Sequence, residues 1–202
     1  MSWERASAAK ADMEALGGSV MKIETLEIAG FVSAFKALRL SYGKEERSKS
    51  QVDIREFGGM GQEETWAVDV DPRDLELLQK LVKAGDEHAK VLRRVVVWAR
   101  ITAPVYWWCE EETYGVGRER LMSESTMHID CKGLRGAELQ KAKAEIPMGK
   151  ELTKVDFFSY QCLRHIYKQR KNHRLPEWRE FCGWIESLPM ADKLITYGCK
   201  EN

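Results

Sequence analysis

The sequence predicts an α/β (α+β) chain: a helix-rich single domain built around a small mixed sheet. Three observations carry that expectation. Two short stretches, KIETLEI at 22–28 and TWAVDV at 65–70, are rich in β-branched residues that tend to alternate, as half-buried strands do. Several longer stretches repeat apolar residues every three or four positions, as amphipathic helices do. Finally, 202 residues with 44% hydrophobic side chains, seven Trp, six Tyr and six Phe can bury a core without a metal or a disulfide. Residues 1–20 read as an N-terminal helical appendage closed by Gly17-Gly18, which leaves 21–202 as one domain.

The elements follow in order. KIETLEI predicts a strand. Residues 29–40 predict a helix with Phe31, Ala34, Phe35 and Leu38 on one face. Residues 41–65 are polar, contain Gly58, Gly59 and Gly61, and predict a loop interrupted by a strand at VDIREF. Asp71-Pro72-Arg73-Asp74 is a helix start: Asp71 caps, Pro72 takes the first position and Asp74 complements the dipole. Leu75, Leu78 and Val82 form the buried stripe of that helix. Gly85 ends it, and another helix is expected from about Asp86. VVVWARI at 95–101 fits a strand and a buried helix end equally well. Pro104 opens VYWWCEEETY, a helix with an aromatic and an acidic face that ends at Gly115 and Gly117. Residues 133–152 are helical in propensity, with a turn at Pro147-Met148-Gly149. Two helices close the chain: one from about Lys154 to Lys171, and one from Pro176 with Trp178, Phe181, Ile185 and Leu188 on one face, stopped by Pro189.

Charge and cysteine usage narrow the class. Lys plus Arg equals Asp plus Glu at 32 each, so no general attraction to nucleic acid or to an anionic membrane is expected. Balanced charge suits self-association. The five cysteines (109, 131, 162, 182 and 199) are odd in number and widely spaced. The charged opening MSWERASAAKADMEAL is unlike a secretory signal. Reduced thiols and a cytoplasmic location are therefore expected.

Candidate sites were weighed on spacing. No Cys or His pair has zinc-ligand spacing, and Cys162 with His165 reads as a core thiol beside a polar histidine, so no metal is expected. Ser123, Ser125 and Thr126 lie near His128, but no nucleophile elbow accompanies them. Of Glu110-Glu111-Glu112, only one can face a given cleft, and a buried one would have a raised pKa. Arg118, Arg120, Ser123 and Ser125 follow two glycines; guanidinium forks, hydroxyls and exposed amides suit a nucleotide or other small anionic ligand. The cluster Arg164, His165, Lys168, Arg170, Lys171, His173 and Arg174 fits a helix C-terminus, with RNA binding as a weaker alternative.

Two segments resemble a known family. The run from Leu81 to His128, with ITAPVYWW, TYGVG and STMH, is similar to uncharacterised phage and prophage proteins, and through them resembles flavin-dependent thymidylate synthase. That family carries a Gly-His-x-Ser segment, a strand ending in Ser-Arg, and an R-H-R-x-x-S signature. Gly85 with His88, Ile101–Pro104 and Ser123–His128 take those places here, and Arg118-Glu119-Arg120 matches R-H-R except at its middle. LRHIYKQRKNHRLPEWREF adds Arg170, His173 and Glu177–Arg179, similar in order to the family's C-terminal segment. The resemblance implies a homotetramer with FAD and deoxyuridylate sites between subunits. It implies Arg118, Arg120, Ser123 and Ser125 at the nucleotide, and His88, Arg170, His173 and Arg179 at the flavin. Reductive methylation of deoxyuridylate follows if the chain is active. The rival expectation is a non-enzymatic assembly or interaction protein that keeps the fold and presents Trp107-Trp108 as an exposed interface.

Overall fold

The computed structural model describes residues 21–40, 43–48, 50–53 and 67–199. The N-terminal appendage and most of the 41–65 loop lie outside these. The expected fold class holds: among the described residues seven helices accompany a four-stranded sheet, and every strand pairing is antiparallel. The sheet runs β1-β4-β6-β5, from β1 (Lys22–Ala29), β4 (Val96–Pro104), β5 (Arg118–Ser123) and β6 (Glu151–Ser159). A separate two-stranded ribbon pairs β2 (Gln51–Asp53) with β3 (Ala67–Asp69).

The helices cover one face of the sheet. Helix α1 (Phe31–Leu38) buries the four residues its periodicity picked out, Phe31, Ala34, Phe35 and Leu38. Its entry depends on Gly30, held at φ +94°, where a Cβ would stand 1.8 Å from the carbonyl oxygen of Arg94. Only a residue without a side chain lets the two backbones approach so closely. Helix α2 (Pro72–Ala84) starts as expected, with the Asp71 carboxylate accepting from the Arg73 amide at 2.9 Å. Asp74 does more than complement the dipole. It is fully buried, and accepts from Arg39 Nε, Ser48 Oγ and Ser50 Oγ, which ties the 39–50 stretch to the helix start. Burial opposes ionisation of Asp74, but these donors outweigh it and hold its pKa below the usual carboxylate range.

After Gly85 the chain forms a turn and a short 3₁₀ helix at Lys90–Arg93 instead of the expected α-helix. VVVWARI resolves as strand β4, with Val97, Ala99, Ile101 and Ala103 on the core face. Helix α3 (Val105–Glu111) follows Pro104 directly. Two short helices, α4 (Thr126–Ile129) and α5 (Gly136–Ala144), form an excursion between β5 and β6. Helices α6 (Tyr160–Arg170) and α7 (Pro176–Ser187) complete the core layer, with Trp178, Phe181 and Ile185 buried on α7.

Three further expectations need correction. Residues 154–159 belong to strand β6, not to the first closing helix, which begins at Tyr160. Arg118–Ser123 is strand β5, not a turn with exposed amides. In both, charged residues occupy core-facing positions, which hid the period-two pattern. Thirdly, Trp107 and Trp108 are buried, at 0% and 1% exposure, so they form no surface patch. Trp107 packs against Trp108 and Trp178, each with ring centroids 4.9 Å away.

Gly30→Ala is expected to lower stability by about 1–3 kcal/mol, seen as a lower urea midpoint. At Gly43, where nothing lies within 4 Å of a built Cβ, the same change meets only left-handed strain, about 1 kcal/mol. Equal losses at both positions would contradict the close approach to Arg94.

Candidate functional site

The acidic run of α3 points into the sheet. Of its three glutamates, Glu111 is fully buried, Glu110 half-buried and Glu112 exposed, as side chains about 100° apart on a helix allow. Facing it from β6 is Asp156, also fully buried. Arg118 of β5 joins them: its Nη2 donates to Glu111 Oε2 at 2.5 Å and to Asp156 Oδ2. Arg120, two residues on, donates to Glu112 Oε1 at 2.6 Å, and its Nε lies 3.7 Å from Asp156 Oδ1. Lys154 Nζ reaches the same Glu112 oxygen at 2.9 Å and sits 4.3 Å above the Trp108 ring.

Three cations therefore meet three carboxylates beneath β5 and β6. Burial pushes Glu111 up to about 8, Arg118 offsetting part of the shift, and raises Asp156 as well. Burial lowers Lys154. Burial also opposes ionisation of Glu112, but Lys154 and Arg120 outweigh it and keep that carboxyl low. Glu111 Oε1 has no hydrogen-bond partner among the described residues.

A cavity of about 560 Å³ opens beside this cluster. Its walls come from Asp86 and Arg93, the Thr113–Gly117 loop, Phe157, and the start of α6 with Gln161, Cys162 and His165. Gly117 lets the loop close on the helix: at φ +76°, a Cβ there would stand 2.4 Å from Ser159 Oγ. Ser159 uses that oxygen to cap α6, accepting from the Cys162 amide at 3.2 Å. Arg93 is exposed at the rim, with Nε donating to Gln161 Oε1 at 2.7 Å and Nη2 to the Asp86 carbonyl at 3.2 Å. Burial pushes the Cys162 thiol up to about 12, so it is no nucleophile at neutral pH.

The residues nominated from sequence separate into groups. Arg118 and Arg120 lie together but face acids of their own chain. Ser123 and Ser125 are exposed or half-exposed beyond them, where Ser125 precedes α4 without capping it. His88 sits on the turn before the 3₁₀ helix, 3.7 Å from Glu87. Arg170 is at the far end of α6: it donates to Glu110 Oε2 at 2.6 Å and to the Tyr114 hydroxyl at 2.7 Å, over the Trp178 ring. His173 stands beside it, and Arg179 is exposed on α7. Gln161 touches Asp86 at the start of α6. Nine residues of helix, about 14 Å, then separate the His88 end from Arg170.

The basic cluster is largely committed to the fold. Arg164 is buried and donates to the carbonyls of Ile195 and Tyr197, both at 2.7 Å, and Lys171 donates to the Cys199 carbonyl. Cys162 is buried next to an exposed His165. No group of three or more metal-ligating side chains occurs among the described residues. None of the described helices is long and apolar enough to cross a membrane. The cavity itself and Arg93 were missed from sequence, because its walls come from segments far apart in the chain.

No protein-family model and no curated protein matches this sequence. Solved structures do match its fold. A flavin-dependent thymidylate synthase ThyX from Helicobacter pylori, complexed with FAD and dUMP, superposes with a TM-score of 0.64 at 11% identity, covering 89% of this chain and 100% of that one. A second structure of the H. pylori enzyme with FAD and dUMP gives 0.63 at 11%, with 91% and 100% covered. A UMP/dUMP methylase PolB from Streptomyces cacaoi, bound with 5-Br dUMP, gives 0.58 at 12%, with 88% and 92% covered. The chain has the fold of these proteins.

A buried carboxyl with a raised pKa stabilises the folded state only while it keeps its proton. That contribution is complete below 4.5, the ordinary value, and is lost as pH rises through about 8. Glu111→Gln should flatten the fall in thermal midpoint across that window. An unchanged pH profile in the variant would show that Glu111 is ionised throughout.

Proposed function

We propose that this protein binds a nucleotide, with a flavin as partner, in the manner implied by the flavin-dependent thymidylate synthase fold. The observation that carries the proposal is the cavity beside Gly115–Gly117, set in a fold that matches the solved enzymes over their whole length. Its 560 Å³ lies within the usual size of small-molecule sites. Arg93 is the cation at its rim and the proposed partner of a phosphate; Gln161 and Thr113 supply neutral hydrogen-bonding groups for a base or sugar. Arg120, Ser123 and Ser125 continue along the chain from the Gly117 turn and are proposed as outer contacts. Arg118, joined to Glu111 and Asp156 behind the cavity wall, is proposed to act on the ligand from behind.

A flavin is proposed to lie between copies of the chain, with His88 on one side and Arg170, His173 and Arg179 on the other. When bound, a flavin would supply the hydride, and methylation of deoxyuridylate is the reaction proposed for an active chain. Cys162, held protonated, takes no covalent part.

One observation favours a second reading, a non-catalytic protein that binds a nucleotide or a partner in the same fold. Arg118 and Arg120, the cations nearest the family's signature, are already engaged by Glu111, Asp156 and Glu112. Adding dUMP or FAD to the purified chain should raise its thermal midpoint, by about 2.7 kcal/mol of stabilisation at a ligand concentration near 100 times Kd. Arg93→Ala should weaken dUMP binding by about tenfold or more, one charge-assisted hydrogen bond. Binding with no turnover would select the non-catalytic reading. A chain indifferent to both ligands would overturn the proposal.

A further inference from the structure

The helix that forms one wall of the cavity carries three polar side chains at four-residue spacing, Gln161, His165 and Gln169, so all three lie along one face of α6. Gln161 and His165 line the cavity. A hydrogen-bonded chain joins His165 to the far end of the helix. Gln169 Nε2 and His165 Nε2 are 2.9 Å apart, the Tyr114 hydroxyl lies 2.9 Å from Gln169 Oε1, and Arg170 Nε lies 2.7 Å from that same hydroxyl. Arg170 is anchored in turn. It donates to Glu110 Oε2 at 2.6 Å and lies over the Trp178 ring, whose indole N–H reaches the same carboxylate oxygen at 2.9 Å.

The chain has one consistent polarity, and Arg170 sets it. A guanidinium has donors and no acceptor. The Tyr114 oxygen therefore accepts from Arg170, and its own proton goes to the other neighbour, which must be a carbonyl. That places Gln169 Oε1 toward Tyr114 and the Gln169 amide N–H toward His165. His165 Nε2 then accepts, so in the neutral ring the proton sits on Nδ1. No hydrogen bond among the described residues uses His165 Nδ1, which is the donor the ring has left for the cavity. Gln161 agrees. Its Oε1 is taken by Arg93 at 2.7 Å, and its Nε2 gives one N–H to the Asp86 carbonyl at 3.2 Å, which leaves a second N–H. Both polar groups of the α6 wall thus present donors.

We infer that Arg170, acting through Tyr114 and Gln169 as positioning residues, fixes His165 as a hydrogen-bond donor to the ligand of this cavity, so that the α6 wall takes a ring carbonyl and turns away an amino group. An amino group brought to that wall sets N–H against N–H and leaves both without an acceptor, whereas a carbonyl satisfies the ring. Tyr114 is suited to hold the geometry: it is buried, and its ring stands edge-on to the imidazole with centroids 6.0 Å apart. A ring carbonyl is offered both by a uracil base and by a flavin, and the experiment below separates the two. The inference rests on the proposed cavity for its ligand, whereas the tautomer is a property of the free chain, so the two can fail separately.

The test is nitrogen NMR of the full chain labelled on histidine, at about pH 8.5, where an ordinary imidazole is neutral. The sequence has four histidines, and the spectrum of His165→Phe identifies the signals of His165. Its Nδ1 should read as protonated and its Nε2 as unprotonated. Tyr114→Phe, and Gln169→Leu on the exposed surface of α6, should each turn that single tautomer into a mixture, with far-UV circular dichroism unchanged. In titrations with dUMP and with FAD, His165→Phe should weaken one of the two by about tenfold, which tells whose carbonyl meets the wall. A wild-type His165 protonated on Nε2 overturns the inference. So does a tautomer that both variants leave in place, or a wild type that binds these ligands no better than His165→Phe does. A wild type that binds neither ligand refutes the function proposed above, and the tautomer alone then decides the polarity.

Discussion

The ion cluster under β5 and β6 is the constraint on which the rest of the site depends. Two fully buried carboxylates, Glu111 and Asp156, share one guanidinium, that of Arg118. Removing a single partner from such a cluster leaves a buried charge uncompensated, which is far more costly than the net worth of the pairs. The three groups come from α3, β5 and β6, so the cluster fixes the angle at which the acidic helix meets the sheet. It also sets the last turn of α3, from which the Thr113–Gly117 loop departs to form the cavity wall. Cys162 on that wall feels both Glu111 and Arg118, so the cluster and the cavity are electrostatically one unit.

This arrangement bears directly on function. A guanidinium that already serves two carboxylates has little left to offer a phosphate. Arg118 is only 9% exposed and Arg120 31%. Arg93 differs: it stands at the rim, and among the described residues it is bound to a neutral amide and a carbonyl and to no carboxylate. The fold is thus shared with enzymes that were solved with FAD and dUMP, while Arg118 and Arg120 of this chain are already engaged by its own carboxylates.

Much of the architecture was legible in the sequence. The buried faces of α1 and α7 followed from their periodicity, and the start of α2 from its cap and proline. The fold class and the resemblance were legible too, because the aromatic and apolar residues of 95–108 are placed by packing alone. What escaped was governed by buried charge. Lys154 and Asp156 occupy core positions of β6, and Arg118 and Arg120 those of β5, so both strands read as something else. The same property hid the site. Glu111 was legible only as one of three glutamates, and its partners Arg118 and Asp156 are brought to it by the sheet register. Arg93 had no local signal, since it acquires meaning only when Gln161 and the Gly115–Gly117 loop come alongside. The rival reading put Trp107 and Trp108 at the surface, yet Trp178 and Phe181 of α7 close over Trp107, and Trp107 and Lys154 pack on Trp108.

The central claim is that the ligand lies in the cavity while Arg118 stays with its own carboxylates. A crystal structure of the chain with dUMP bound tests it most directly. The account predicts nucleotide density between Arg93 and the Gly115–Gly117 loop, with Arg118 still joined to Glu111 and Asp156. A phosphate seated on Arg118, with either carboxylate displaced, would contradict it.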